Sequence, residues 1–218
     1  MRFFVDGLFI MVSGVTSEQD ALLSLGLGAH AVAFDFGPTP WRVGSEDVHD
    51  ILRRLPPGAL SIGVFHRERP THIVEVANRL GLSAVQIHGP AAEGDIAYVA
   101  ERVNTVLRAV PAGQATRVGP GVDYLVLPEE DDEMSLVASL GAFASPDPLT
   151  PVIASGGLDG ASVVDVVRDY PVFGVDARAC VESEPGVKDP ARLGDFIANA
   201  RWAYENSRVS RERSEWDL

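Results

Sequence analysis

Several short segments of this 218-residue chain end in residues suited to acid–base or anion chemistry. Ser155-Gly156-Gly157 is the clearest. Two adjacent glycines let backbone approach a ligand closely. A helix beginning near Asp159 would add unpaired N–H groups and the positive end of its dipole, a setting for phosphate. The competing reading is a tight turn that needs glycine. Asp35 lies between Phe34 and Phe36. A carboxylate desolvated beside two rings has a raised pKa and fits general acid–base work, unless strand alternation turns it away from the ligand. His88 and Asp176 end two other apolar runs. Their plain alternatives are a satisfied structural histidine and a carboxylate bonded to loop amides. Ser13 is a weak nucleophile by sequence, since no His or Lys is placed to take its proton.

Such residues need a scaffold that gathers strand ends. Short apolar runs recur at Leu8–Val12, Ala31–Phe36, Leu60–Phe65, Ala84–His88, Thr105–Val110, Tyr124–Leu127, Pro151–Ala154 and Val172–Val175. Each is bounded by Gly, Pro or polar residues, as buried parallel strands are. Helical patterns lie between them. Thr16 or Ser17 caps the first, which Gly26 or Gly28 closes. Ser45 opens the second and Pro56-Pro57 stops it; Pro70 begins the third, closed by Gly81. Later helices start near Ala92, Asp131, Gly160 and Pro190, while 111–120 is too rich in Gly and Pro for a full helix. This alternation predicts an α/β protein, a single-domain (β/α)8 TIM barrel over residues 1–206, with a polar, disordered tail at 207–218. In that fold the site lies at the C-terminal strand ends.

Composition narrows the classes. The net charge is −13, with no basic run, which argues against nucleic acid as a partner. A single cysteine, Cys180, excludes an internal disulfide framework and a multi-cysteine zinc site. No apolar run reaches the ~18 residues of a membrane span, and the first residues lack a secretory signal, so a cytoplasmic protein is expected.

Ser13-Gly14-Val15-Thr16, Phe34-Asp35-Phe36 with Pro38 and Arg42, Gly63-Val64-Phe65, and Val85-Gln86-Ile87-His88-Gly89 fall in that order at the predicted strand ends. Ser155-Gly156-Gly157-Leu158, Val175-Asp176, Val181-Glu182, Pro185-Gly186 and Lys188-Asp189 continue the series. Over roughly residues 8–200 this set resembles phosphoribosylanthranilate isomerase. The resemblance implies an Amadori rearrangement, in which an aminoaldose phosphate opens and becomes a 1-amino-1-deoxyketose phosphate without metal or organic cofactor. It implies a small phosphorylated metabolite as partner and a monomer or homodimer. It also assigns Arg42 to the substrate carboxylate and Gln86 and His88 to the substrate site; Asp176, at the end of strand eight, is a further substrate-site candidate, and Ser155, Gly156, Gly157, Arg178 and Ala179 are the phosphate candidates.

The departures from the family pattern fall on the chemistry. The family's base is a cysteine in Lys-Ile-Cys-Gly; here Met11-Val12-Ser13-Gly14 puts Ser13 in its place and Met11 in that of the lysine. The family's acid, an aspartate ending strand six, aligns with Pro128. The last phosphate loop, Ser-Ser-Gly in the family, reads Arg178-Ala179-Cys180. Asp35, Ser13 and Glu129, with Glu130 beside it, are the candidates to supply catalytic groups, and Arg178 offers the phosphate a charge. Three readings remain open: an isomerase with degraded or altered activity, a repurposed paralogue of specialised metabolism, and a non-catalytic barrel that binds a phosphorylated metabolite. A repurposed enzyme should converge Asp35, Glu129 or Asp176 with His88 on one cavity. A silent binder should keep Gly156-Gly157 without a perturbed carboxylate.

Overall fold

A computed structural model describes residues 3, 5–110, 120–127, 136, 140–141 and 150–207. Eight parallel strands close into a barrel: β1 (Phe9–Val12), β2 (Ala31–Asp35), β3 (Leu60–Phe65), β4 (Ala84–Ile87), β5 (Val106–Ala109), β6 (Tyr124–Leu127), β7 (Val152–Ala154) and β8 (Gly174–Ala177). β8 returns to β1, with Met11 opposite Asp176. Helices α1 (Glu18–Leu27), α2 (Ser45–Leu52), α3 (Pro70–Leu80), α4 (Glu93–Ala100), α5 (Ser162–Asp169) and α6 (Pro190–Asn206) connect and wrap them. The expected (β/α)8 barrel is the observed fold.

Strand parity explains both the core and the site. Every residue of β1, β2, β4, β6, β7 and β8 is buried, because one face fills the barrel and the other packs on helices. Phe9, Met11, Ala31, Ala33, Ile62, Val64, Leu107, Tyr124, Val126 and Ile153 belong to the interior cluster. Two residues beyond the last apolar member of that set, the same inward parity reaches Ser13, Asp35, His66 and Ser155. The polar mouth is thus the top layer of an otherwise apolar stack. Met11 is fully buried inside the barrel.

Local signals set the helix ends. The Ser17 hydroxyl accepts the Asp20 N–H at 3.1 Å, and Gly28 closes α1 in the left-handed region at φ 107°. Pro70 and Pro190 occupy first turns, and Gly81 ends α3 at φ 66°. α2 ends at Leu52, short of the proline pair. β8 runs two residues later than the apolar pattern predicts, since its inward Asp176 breaks that pattern. The sequence also gave no sign of a small hairpin after β8, β9 (Glu182–Glu184) with β10 (Val187–Lys188).

Gly174 is required by packing. A Cβ there would lie 2.5 Å from the Phe9 carbonyl oxygen on the neighbouring strand. Gly174→Ala is expected to cost at least about 1–3 kcal/mol through strand displacement, read as a lower midpoint in urea with unchanged slope. An unchanged midpoint would show that β1 and β8 can separate freely.

Candidate active site

The mouth of the barrel is lined by Ser13, Asp35, Gln86, His88, Asp176 and Arg178, together with Gly14, Val64, Val126 and Ser155. Asp35, Asp176 and His88 therefore meet on one cavity, and Asp35 faces inward. Glu129, Glu130 and Pro128 lie outside the described residues, as do the tail from 208 and most of the predicted helix near Asp131.

Asp176 is the hub. Its two carboxylate oxygens accept the Ser13 hydroxyl at 2.6 Å and the Ser155 hydroxyl at 2.9 Å. Burial pushes its pKa up to about 6, against the pull of both hydroxyls and of the nearby Arg178 and Lys188 charges. Ser155 is thereby drawn into the carboxylate cluster. Ser13 is an accessory of Asp176 in this geometry, with its proton shared towards a carboxylate.

Asp35 behaves in the opposite sense to the sequence expectation. Burial alone would raise its pKa, but the bond and charge of His66, the Gly37 N–H at 2.8 Å and the Thr39 hydroxyl together hold it below the usual carboxylate value. His66 Nε2 lies 3.2 Å from both Asp35 oxygens, and that bond raises the imidazole pKa despite partial burial. Each partner thus favours the charged form of the other, the imidazolium and the carboxylate. His66 also stacks on His88, with ring centroids 4.7 Å apart. The Gln86 amide nitrogen meets His88 Nε2 at 2.7 Å, and the buried Gln86 carbonyl oxygen has no partner among the described residues.

A latch of side chains packs on two residues of the mouth, Gly14 and Arg178. The Trp41 indole packs so close to Gly14, at φ 68°, that a Cβ there would stand 2.7 Å from the ring. Arg178 lies over the indole, 4.6 Å from its centroid. The indole N–H donates to both oxygens of buried Glu182, at 3.0 and 2.9 Å. Lys188, the only lysine of the chain, donates to Glu182 at 2.5 Å and to the Ser13 carbonyl at 2.6 Å. Burial lowers the Lys188 pKa against the pull of Glu182. Beneath this latch the cavity holds about 10 Å³, scarcely one water.

The other sequence candidates fall outside this cavity. Arg42 is exposed and lines none of it, although its backbone bridges to that of Asp35. Ala179 is exposed in a short helical turn after β8, and Cys180 is half-buried beside it. Gly156 and Gly157 both adopt left-handed backbone, φ 87° and 65°, so glycine is needed there. The helix behind them differs from expectation. It starts at Ser162, and the Asp159 carboxylate already accepts the Ala161 and Ser162 N–H groups at 2.8 Å. An anion at this loop would meet the glycine amides, which donate to no carbonyl among the described residues, and not the helix N-terminus. Among the described residues no group of three His, Cys, Asp or Glu is placed to share a metal ion.

Sequence reading assigned no role to His66, Trp41, Glu182 or Lys188. Parity along β3, from Ile62 through Val64, was the available signal for His66. None was available for Trp41, which lies in an irregular loop.

Residues 10–199 match the family profile described as N-(5'-phosphoribosyl)anthranilate (PRA) isomerase. The chain is 34% identical over 207 residues to an N-(5'-phosphoribosyl)anthranilate isomerase of Halobacterium salinarum, covering 88% of this chain and 94% of that relative. It superposes with a TM-score of 0.74 and 28% identity on a phosphoribosyl anthranilate isomerase in complex with reduced 1-(o-carboxyphenylamino)-1-deoxyribulose 5-phosphate, covering 89% of this chain and 99% of that one. Monomers generated from the dimeric isomerase of Thermotoga maritima align at TM-score 0.76 and 30% identity, over 88% and 98% of the two chains.

Proposed function

From the premise that the chain belongs to the phosphoribosylanthranilate isomerase family, we propose that it performs the Amadori isomerisation of a phosphoribosylated amine with an altered acid–base set and reduced efficiency. The observation that carries this reading is the convergence of Asp176, perturbed to a pKa of about 6, with Asp35 and His88 on one cavity. A silent phosphate binder has no use for a buried carboxylate held near its titration point.

In this mechanism His66, kept protonated by Asp35, gives its proton to the ring oxygen, and the furanose opens to an iminium. The Asp176 carboxylate then removes the proton from carbon 2, forming the neutral enolamine. The Asp176 carboxyl exchanges that proton with solvent and delivers one to carbon 1 while the carbon 2 hydroxyl gives its proton to His66, leaving the ketone and restoring both groups. Asp35 is a positioning residue. Ser13 orients Asp176, and the unpartnered Gln86 carbonyl oxygen suits a sugar hydroxyl. Gly156 and Gly157 would take the phosphate through their amides, with Arg178 supplying charge once it leaves Trp41. The relatives' names point to the same substrate class and to a homodimer or monomer. In D₂O the ketose product should carry one solvent deuterium at carbon 1, seen by mass spectrometry. Product without deuterium would remove a solvent-exchanging base from the scheme.

The latch must open for any of this. Trp41→Phe removes the indole N–H but keeps a ring over Gly14, and a charge-assisted hydrogen bond contributes ~1.5–3 kcal/mol. Since closure reduces apparent affinity by the open fraction, the variant should bind ribose 5-phosphate roughly tenfold more tightly by calorimetry. Unchanged affinity would mean that the indole bond does not hold the mouth shut. The small closed cavity favours the non-catalytic barrel as the second reading, and the deuterium experiment separates the two.

A further inference from the structure

Lys188 is the only lysine among the 18 strongly basic residues of the chain, and its side chain is wholly buried. Its ammonium sits where three segments meet. It donates to the Ser13 carbonyl at 2.6 Å and to Glu182 Oε1 at 2.5 Å, and the Arg178 carbonyl lies 3.5 Å away. The hairpin that carries Lys188 is itself fastened to the segment after β1. The Lys188 backbone N–H donates to the Asp20 carboxylate at 3.3 Å, and the Thr16 hydroxyl donates to the Gly186 carbonyl at 2.6 Å. Ser13, which follows β1, commits every polar group it has. Its N–H donates to the Ala177 carbonyl at 2.9 Å, its hydroxyl to Asp176 at 2.6 Å, and its carbonyl accepts from Lys188. Two of these bonds hold the serine to β8, and the third holds it to the hairpin beyond.

A buried ion pair contributes little to stability, because an apolar pair of similar volume avoids desolvating two charges. Lys188 therefore needs another account. An ammonium is a compact charge with three donors spread around one atom, which suits acceptors arriving from the end of β1, the loop after β8 and the hairpin. A guanidinium is larger and keeps its donors in one plane, so arginine, present at every other strongly basic position, is a poor replacement. We propose that Lys188 is a positioning residue for the base of the reaction: by holding the Ser13 carbonyl it keeps the Ser13 hydroxyl on Asp176 and fixes the carboxylate's direction. The inference rests on the isomerase reading and adds a residue to it. Charge acts in the same sense. Asp176 faces the Ser13 and Ser155 hydroxyls, Arg178 and Lys188, with Asp35 and His88 lining the same cavity. Lys188 faces Glu182, Asp176 and Asp20. Burial drives the Asp176 pKa up, and the Lys188 charge opposes it. Without the ammonium, the carboxylate loses an opposing charge and the anchor of its serine, so it keeps its proton to higher pH.

The test is the titration of Asp176, read by carbon-13 NMR of the full chain labelled at aspartate and assigned from the signal missing in Asp176→Asn. The pH profile of kcat/KM is measured beside it. Lys188→Met fills the same space without charge. In it the Asp176 midpoint should move up by about half a pH unit or more, and the rising limb of the profile should move with it. kcat at pH 7 should fall roughly tenfold or more. Lys188→Met/Glu182→Gln also removes the carboxylate charge that the single variant strands, and keeps an acceptor for Trp41. It should show the same displacements, and it decides should Lys188→Met fail to fold. A purely structural lysine would lower the melting temperature and leave both midpoint and limb in place, which overturns the proposal. A midpoint that moves in protein without turnover keeps the link from Lys188 to Asp176 and loses the isomerase reading. Turnover with an unmoved midpoint does the reverse.

Discussion

Asp176→Asn should make the protein more stable at neutral pH while removing its turnover. The carboxyl pKa rises from 3.8 to about 6 on folding, and about two pH units correspond to roughly 3 kcal/mol. The sign follows from proton binding. Between the two values the folded state keeps a proton that the unfolded state has lost, so this group's contribution falls as pH rises through 4–6 and stays low above. Asparagine carries no charge to desolvate. Its amide can still accept from one of Ser13 and Ser155 and donate to the other. For a chain of this size the gain corresponds to on the order of 5–10 °C in Tm at pH 7–8, vanishing towards pH 4. Turnover should fall ~10²- to 10⁴-fold with loss of the base. Differential scanning calorimetry against pH, beside kcat, checks both halves. A variant that melts lower at pH 8, or keeps its kcat, would show Asp176 to be a structural carboxylate.

Asp35→Asn should move the alkaline limb of the activity profile. With Asp176 as base and the His66 imidazolium as acid, kcat/KM is a bell. It rises near pH 6 and falls above the ordinary imidazole pKa, because Asp35 raises that of His66. Removing the Asp35 charge lets burial and Arg178 lower the imidazole, so the falling limb shifts to lower pH and activity at pH 7.5 drops roughly tenfold or more. His66→Gln should abolish the falling limb and cost ~10²-fold or more. Stability follows the same pair. Asp35's contribution is present above the usual carboxylate pKa and lost on acidification; that of His66 is present below the usual imidazole pKa and lost as pH rises through its folded value. An unshifted limb in Asp35→Asn would detach the pair from the reaction.

The barrel was legible because its signals are local and repeated. Parallel strands buried on both faces read as short apolar runs, and Ser17, Pro70, Gly81 and Pro190 mark helix ends by their own chemistry. The positions of Ser13, Asp35, His88 and Asp176 at strand ends followed from the same alternation. What those residues do to one another did not. Asp35 carried the expectation of a raised pKa because burial was legible and its partner His66, 31 residues away, was not. Asp176 acquires its state from burial, opposed by Ser13 and Ser155 across the barrel closure, a contact between the first strand and the last two. The latch joins Trp41 to Glu182 over 141 residues, and Asp159 fills the helix terminus that the glycine pattern offered to phosphate.

The most direct measurement is turnover of freshly generated phosphoribosylanthranilate by the unmodified, folded protein, followed as loss of its fluorescence, with Ser13→Cys/Pro128→Asp alongside. A carboxylate-run site predicts multiple turnovers by the unmodified protein, slower than the double variant if that variant regains the family's pair. Fluorescence left unchanged by the folded unmodified protein, with activity only in Ser13→Cys/Pro128→Asp, would contradict the claim that Asp176 and His66 serve as base and acid.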